Sequence, residues 1–214
     1  MPETPENYKS KIAEFSLKYK NFRPVYVEGM VNLKKSGREN ILKEIKVTDK
    51  FMITTRLDND DILHKDFIKT IQLLYKPVHN TVIDLRKGYQ VTLNKNNSQI
   101  RKITNDFNPY LSLIETVEQF NTVLSKNHKD WRNAASIIIY DKEPLWCTLV
   151  HKENLLNATR KYSLRSYSMN NKDFGLSGGF KESFFSVFFS NLRLQIKIYL
   201  SKIKKKIDYS IKGE

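Results

Sequence analysis

Apolar residues recur at helical spacing from residue 5 to 20, where Tyr8, Ile12, Phe15 and Tyr19 stand among Lys and Glu. That spacing predicts a helix. "RPVYVEGMV" (23–31) predicts a short strand. "SGRENILKEIKVTD" (36–49) reads as a capped helix carrying Ile41, Ile45 and Val47. "KFMITTRLD" (50–58) predicts a mostly buried strand, and "ILHKDFIKTIQLLYK" (62–76) a helix with Leu63, Phe67, Ile71 and Leu74 on one face. The order helix–strand–helix–strand–helix predicts an α/β layer architecture around a parallel sheet.

The middle of the chain reads differently. "TVIDLRKGYQVTLN" (81–94) predicts a strand pair turning near Lys87-Gly88. "NPYLSLIETVEQFNTVLSK" (108–126) predicts a helix that starts through Pro109. "ASIIIYDKEPLWCTLVHKENLLN" (135–157) predicts strand, turn, strand and a helical start. From Ser183 the chain turns basic and aromatic. Phe185, Phe188, Phe189, Leu192, Ile196, Tyr199, Ile203 and Ile207 form one helical stripe flanked by Arg193, Lys197, Lys204, Lys205 and Lys206. This divides the chain into a domain over 1–175 and an amphipathic tail over 176–214.

Charge narrows the partners. A formal net charge of +14 over 214 residues favours acidic ones: nucleic acid, an anionic membrane surface or a phosphorylated substrate. Nucleic acid is disfavoured, because the cations gather in a tail without a nucleic-acid motif. A basic helix with an aromatic face suits a membrane interface or a packed position on the protein equally. The single cysteine, Cys147, lies in the apolar "LWCTLV" and excludes an intrachain disulfide. It points to a reducing, cytoplasmic setting, with the tail reaching the inner face of the membrane.

Against this positive background, "TTRLDNDDILHKDFI" packs Asp58, Asp60 and Asp61 into four positions. One aspartate suffices to cap a helix. Three repel one another unless a cation sits among them, and an all-oxygen donor set suits Mg²⁺ or Mn²⁺ rather than zinc. The cluster also follows a predicted strand, and open α/β sheets bind ligands beyond the carboxyl ends of their strands.

"ITTRLDNDDILHKDFI" resembles the strand-end motif of glycosyltransferases with the A-type (GT-A, Rossmann-like) fold, and more narrowly that of a rhamnosyltransferase family. "RKGYQV" (86–91), "NPYLSLIE" (108–115) and "WCTLVHKENLLN" (146–157) resemble further family segments, in the same order. The resemblance covers roughly residues 5–160. It implies transfer of a sugar, rhamnose being the named one, from a nucleoside-diphosphate donor to a glycan or lipid-linked acceptor, with Mn²⁺ or Mg²⁺ as cofactor. By the same resemblance Asp60 and Asp58 are metal ligands, and Asp58 alternatively faces the ribose. His151 completes the metal site; as a lone histidine at a strand end it is otherwise simply hydrogen-bonded. Arg56 pairs with the aspartates or with a phosphate. Asn154 and Asn157 touch the diphosphate or sugar hydroxyls, or cap a helix. Glu115 is the nominee for general base, with an ordinary solvated helical glutamate as its alternative.

The family normally opens with a strand that contacts the nucleotide base, and this chain reads as starting after it, with an incomplete first strand. A non-catalytic, glycosyltransferase-like binding or scaffolding subunit is therefore the competing reading.

Overall fold

The computed structural model describes residues 4–93, 98–151, 159–160, 162–176 and 181–212. It begins with two helices, α1 (Glu6–Lys18) and α2 (Gly29–Leu42). α1 buries no side chain; Phe15, Tyr19 and Phe22 cluster with one another on its outer side. α2 is tied to the loop after residue 119. Its Lys34 Nζ donates to the Ser125 carbonyl at 3.1 Å and its Arg38 Nε to the Phe120 carbonyl at 3.1 Å.

Eight strands follow, in two four-stranded sheets. The first has the order β1 (Phe51–Thr55), β6 (Ser112–Thr116), β3 (Thr81–Leu85), β7 (Ser136–Tyr140). The second has the order β2 (Asp61–Leu63), β8 (Trp146–Val150), β4 (Lys87–Thr92), β5 (Gln99–Thr104). The short helix α3 (Phe67–Leu74) lies between β2 and β3 in sequence, and the long helix α4 (Phe184–Lys212) ends the described chain. β1, β3 and β7 run in one direction, since β6 is antiparallel to β1 and β3 while β7 is parallel to β3. Each of the three then runs on into the second sheet, as β2, β4 and β8. Only Arg86 separates β3 from β4.

Several sequence expectations change here. The sheets are mixed rather than mostly parallel, with antiparallel β1/β6, β2/β8, β3/β6 and β4/β5 beside parallel β3/β7 and β4/β8. Residues 23–27 form no strand, and α2 spans Gly29–Leu42 rather than 36–49. The predicted strand pair at 81–94 is two strands in two sheets, because the chain crosses at Arg86 instead of turning back. The predicted helix at 108–126 is strand β6 followed by a short 3-10 turn at Val123–Ser125. Its Tyr110, Leu111, Leu113 and Ile114 are all fully buried. A strand buried on both faces shows an unbroken apolar run, which spacing does not separate from a helix.

The core joins the sheets to α3 through Phe67, Ile71, Ile83, Leu85, Ile114 and Trp146. Trp146 is fixed on three sides. Its indole N–H donates to the Leu85 carbonyl at 2.6 Å, its ring stacks on Tyr110 at 4.8 Å, and Gly88 lies against it. A Cβ at Gly88 would sit 2.1 Å from the ring, so a side chain there must displace a residue that has nowhere to go. Gly88→Ala should lower unfolding stability by about 3 kcal/mol, read from the midpoint of a urea transition. A change below 0.5 kcal/mol, within the range of ordinary surface substitutions, would show that the indole can move.

Candidate functional site

β1 ends at Thr55, whose hydroxyl lies 2.6 Å from that of Ser112 on the neighbouring strand. The chain then leaves the first sheet and, before β2 begins, makes a tight turn in which the Asp61 N–H donates to the Asp58 carbonyl at 3.2 Å. The aspartates therefore occupy the seam between the sheets. Arg56 grips Asp58 in a two-point ion pair, Nε to Oδ1 at 2.8 Å and Nη2 to Oδ2 at 2.9 Å. This geometry favours Arg56 as the partner of the cluster. Asp60 is half-buried on the same turn.

Asp61 begins β2, directly opposite Thr148 of β8. Its carboxyl is pushed up from 3.8 to about 6. Burial is the main cause; hydrogen bonding to the Tyr110 hydroxyl opposes it, the charges of Asp60 and Asp58 add to it, and the Thr148 hydroxyl opposes it again. The Tyr110 and Thr148 hydroxyls are 2.6 Å apart. Burial and the nearby Asp61 push the Tyr110 phenol up, so it stays a proton donor. Oδ1 of Asp61 is buried without a hydrogen-bonding partner among the described residues. Cys147, next along β8, is fully buried with its thiol pushed up to about 12 by burial, which is the core role its apolar setting predicts.

His151 follows β8 by one residue. Because β8 is antiparallel to β2 with Thr148 facing Asp61, His151 lies past the end of β2 that carries the aspartate turn. The structure thus brings Arg56, Asp58, Asp60 and Asp61 into one turn and directs the chain at His151 toward it. Asn154 and Asn157 lie outside the described residues. Among the described residues no three His, Cys, Asp or Glu side chains form a ready-made metal cluster. The donor chemistry nonetheless fits a hard divalent ion: the oxygens are carboxylates, burial and then the Asp60 and Asp58 charges raise Asp61, and one buried oxygen lacks a partner among the described residues.

Glu115 is elsewhere. It pairs with Met52 at the start of β1, whereas Ser112 pairs with Thr55 at the seam, a separation of roughly 10 Å along the strand. It is buried in a strand, not solvated on a helix. Its two oxygens accept the N–H groups of Asn121 at 2.8 Å and Thr122 at 2.9 Å. Thr122 has φ +71° and ψ 159°, a region that glycine alone adopts without strain. Glu115 therefore clamps a strained loop, and it stands in strand β6 rather than on the expected helix.

A cavity of about 390 Å³ opens beside Tyr110 and Thr148. Gln90, Asn105 and His128 give it polar walls, Lys129 and Arg160 supply cations, and among the described residues no acidic side chain lines it. Such a wall suits a hydroxylated ligand that carries negative charge. Sequence reading passed over Tyr110 and Thr148. The available signal was a hydroxyl in each of two fully apolar runs, "YLSLI" and "WCTLV", since a buried hydroxyl needs a partner.

Two stability measurements test this arrangement. A carboxyl raised on folding binds its proton more tightly in the folded than in the unfolded chain. Its ionisation therefore costs stability above about pH 6, and the cost fades as pH falls toward 3.8. In metal-free protein Asp61→Asn should raise the melting temperature at pH 7.5 by a few degrees, and the gain should vanish near pH 4; an equal gain at both values would contradict the burial argument. Glu115→Ala should cost about 3 kcal/mol through two lost charge-assisted hydrogen bonds, while Thr122→Gly should add about 1 kcal/mol, both by urea denaturation. A stability-neutral Glu115→Ala would remove the clamp.

One family model matches the chain, over residues 1–162, and its description reads "Putative rhamnosyl transferase". No curated protein and no solved structure matches.

Proposed function

Because the chain belongs to the rhamnosyl transferase family, we propose that it moves a sugar, rhamnose in the family's description, from a nucleoside-diphosphate donor to a glycan or lipid-linked acceptor, on a variant of the A-type glycosyltransferase fold. The observation that carries this reading is the aspartate turn at the seam between the sheets, with a buried carboxylate oxygen that has no hydrogen-bonding partner among the described residues and a polar cavity beside it. Asp60, Asp58 and His151 would hold Mn²⁺ or Mg²⁺ together with the donor diphosphate. When bound, such an ion neutralises charge that develops on the leaving diphosphate. Arg56 holds Asp58 in place as a ligand. Asn154 and Asn157 would face the diphosphate or the sugar hydroxyls. The cavity next to Tyr110 and Thr148 would take a hydroxylated ring, with Lys129 and Arg160 answering a negative group on it.

The competing reading, a non-catalytic binding subunit of the same family, draws on Glu115: with that carboxylate committed to a loop, the site has no assigned proton acceptor.

Calorimetric titration with Mn²⁺ and a nucleoside diphosphate should show mutually reinforcing binding. Asp60→Asn should weaken metal binding at least tenfold. Metal binding that is unchanged in Asp60→Asn would sink the ligand assignment. Tight donor binding without transfer to any glycan acceptor would favour the binding-subunit reading.

A further inference from the structure

The long helix α4 is fastened to the body of the protein at its base, and a wide apolar face along it is exposed. Its base is fastened to the edge strand β5. Glu182, buried just before α4, accepts the Ile100 N–H at 2.9 Å and pairs with Arg165. Asn191 brackets residue 165, accepting the Arg165 N–H at 2.8 Å and donating to its carbonyl at 3.0 Å. Val187, one turn earlier on the same side, is buried. These contacts fix which side of α4 faces the protein.

On the opposite side Phe185, Phe188, Phe189, Leu192, Ile196 and Tyr199 are each between 41% and 70% exposed. At 100° per residue they span about 100° of the helix circumference, and with Phe184 and Leu200 about 160°. Arg193, Lys197 and Lys204 line one border of this sector, and Lys202 the other. From Ser183 to Ile207 there is no acidic residue.

We propose that this face of α4 is a docking surface for an anionic lipid bilayer, on which the helix lies flat with its aromatic sector at acyl depth and its cations among the headgroups. The chemistry selects this occupant. A second copy of the chain would set two unrelieved rows of Lys and Arg against each other. The body of the protein meets only the base of α4, through Val187 and Asn191 on the other side. Among the described residues no helix is long and apolar enough to cross a membrane, whereas a wide aromatic sector bordered by cations is the pattern of an interfacial helix. Anionic headgroups supply the missing countercharge. The proposal stands independently of the sugar-transfer reading, since it uses none of the residues at the seam.

The test is flotation of the full chain with phosphatidylcholine vesicles, with and without about 30 mol% phosphatidylglycerol, a source of the anionic surface charge that attracts Lys and Arg. The chain should float with the anionic vesicles and release from them as salt is raised. Phe185→Ser with Phe189→Ser, both exposed and so compatible with an unchanged melting temperature, should weaken binding at least tenfold. In a separate variant, Arg193→Gln with Lys197→Gln and Lys204→Gln should weaken it by about fivefold per charge on anionic vesicles and leave binding to neutral ones unaltered. The proposal is overturned if the chain does not float, or if either variant floats as well as the parent. It is also overturned if sedimentation shows a vesicle-indifferent dimer that the Phe variant dissociates.

Discussion

A fully buried carboxylate, Asp84, holds the two sheets in their relative positions. It sits near the end of β3, two residues before the crossing at Arg86. Arg86 Nε donates to it at 3.0 Å, the Phe107 N–H at 3.1 Å and the Asn108 amide at 3.2 Å. A buried charge without such partners would cost several kcal/mol, so the 105–108 loop must close over it. Phe107 accepts a positive φ of 48° to do so. Asn108 then passes the constraint on. Its amide also donates to the Leu85 carbonyl, and its own oxygen accepts the Tyr110 N–H at 2.9 Å. Tyr110 is thereby set against Trp146 on one side and Thr148 on the other. The seam that carries the aspartates is built outward from this one anion.

What could be read in advance follows from how local each signal is. β1, β7, β8, α1 and the tail helix declare themselves by short-range pattern, and their boundaries shift by only a few residues. The aspartate turn is equally local, since its crowding is visible in four consecutive letters. Where pattern failed, a long-range partner decided the outcome. β6 looks helical until β1 and β3 bury it from both edges. β3 and β4 look like a hairpin until Asp84 and Arg86 direct the chain across to another sheet. Glu115 looked available because nothing near it in sequence shows that residues 121 and 122 return to bind it. Tyr110 was hidden for the same reason, inside a segment whose whole geometry was misassigned.

The distribution of charge is as uneven as the packing. Cations dominate the chain, yet the seam concentrates carboxylates, with Asp58 held by Arg56 in an ion pair. Burial of a carboxylate is a standing cost, to which the charges of Asp60 and Asp58 add, and it is visible in the raised Asp61. Proteins retain costs of this kind where a ligand later relieves them. The net charge of +14 would speed the arrival of an anionic ligand, whereas the carboxylates at the seam would repel it at close range.

The attachment of α2 carries a further consequence. α1 buries nothing, and α2 reaches the sheets through Lys34 and Arg38, which hold carbonyls of the very loop that Glu115 clamps. The strands around Asp84 carry three apolar clusters, and among the described residues the two helices enter none of them. The molecule is accordingly layered in its cooperativity. The helical layer can open while the sheets stay closed, with exchange of its amides set by a smaller free energy than that of the strands. Anything that binds the helical layer would then deepen its protection alone, tightening the outer tier without altering the inner one.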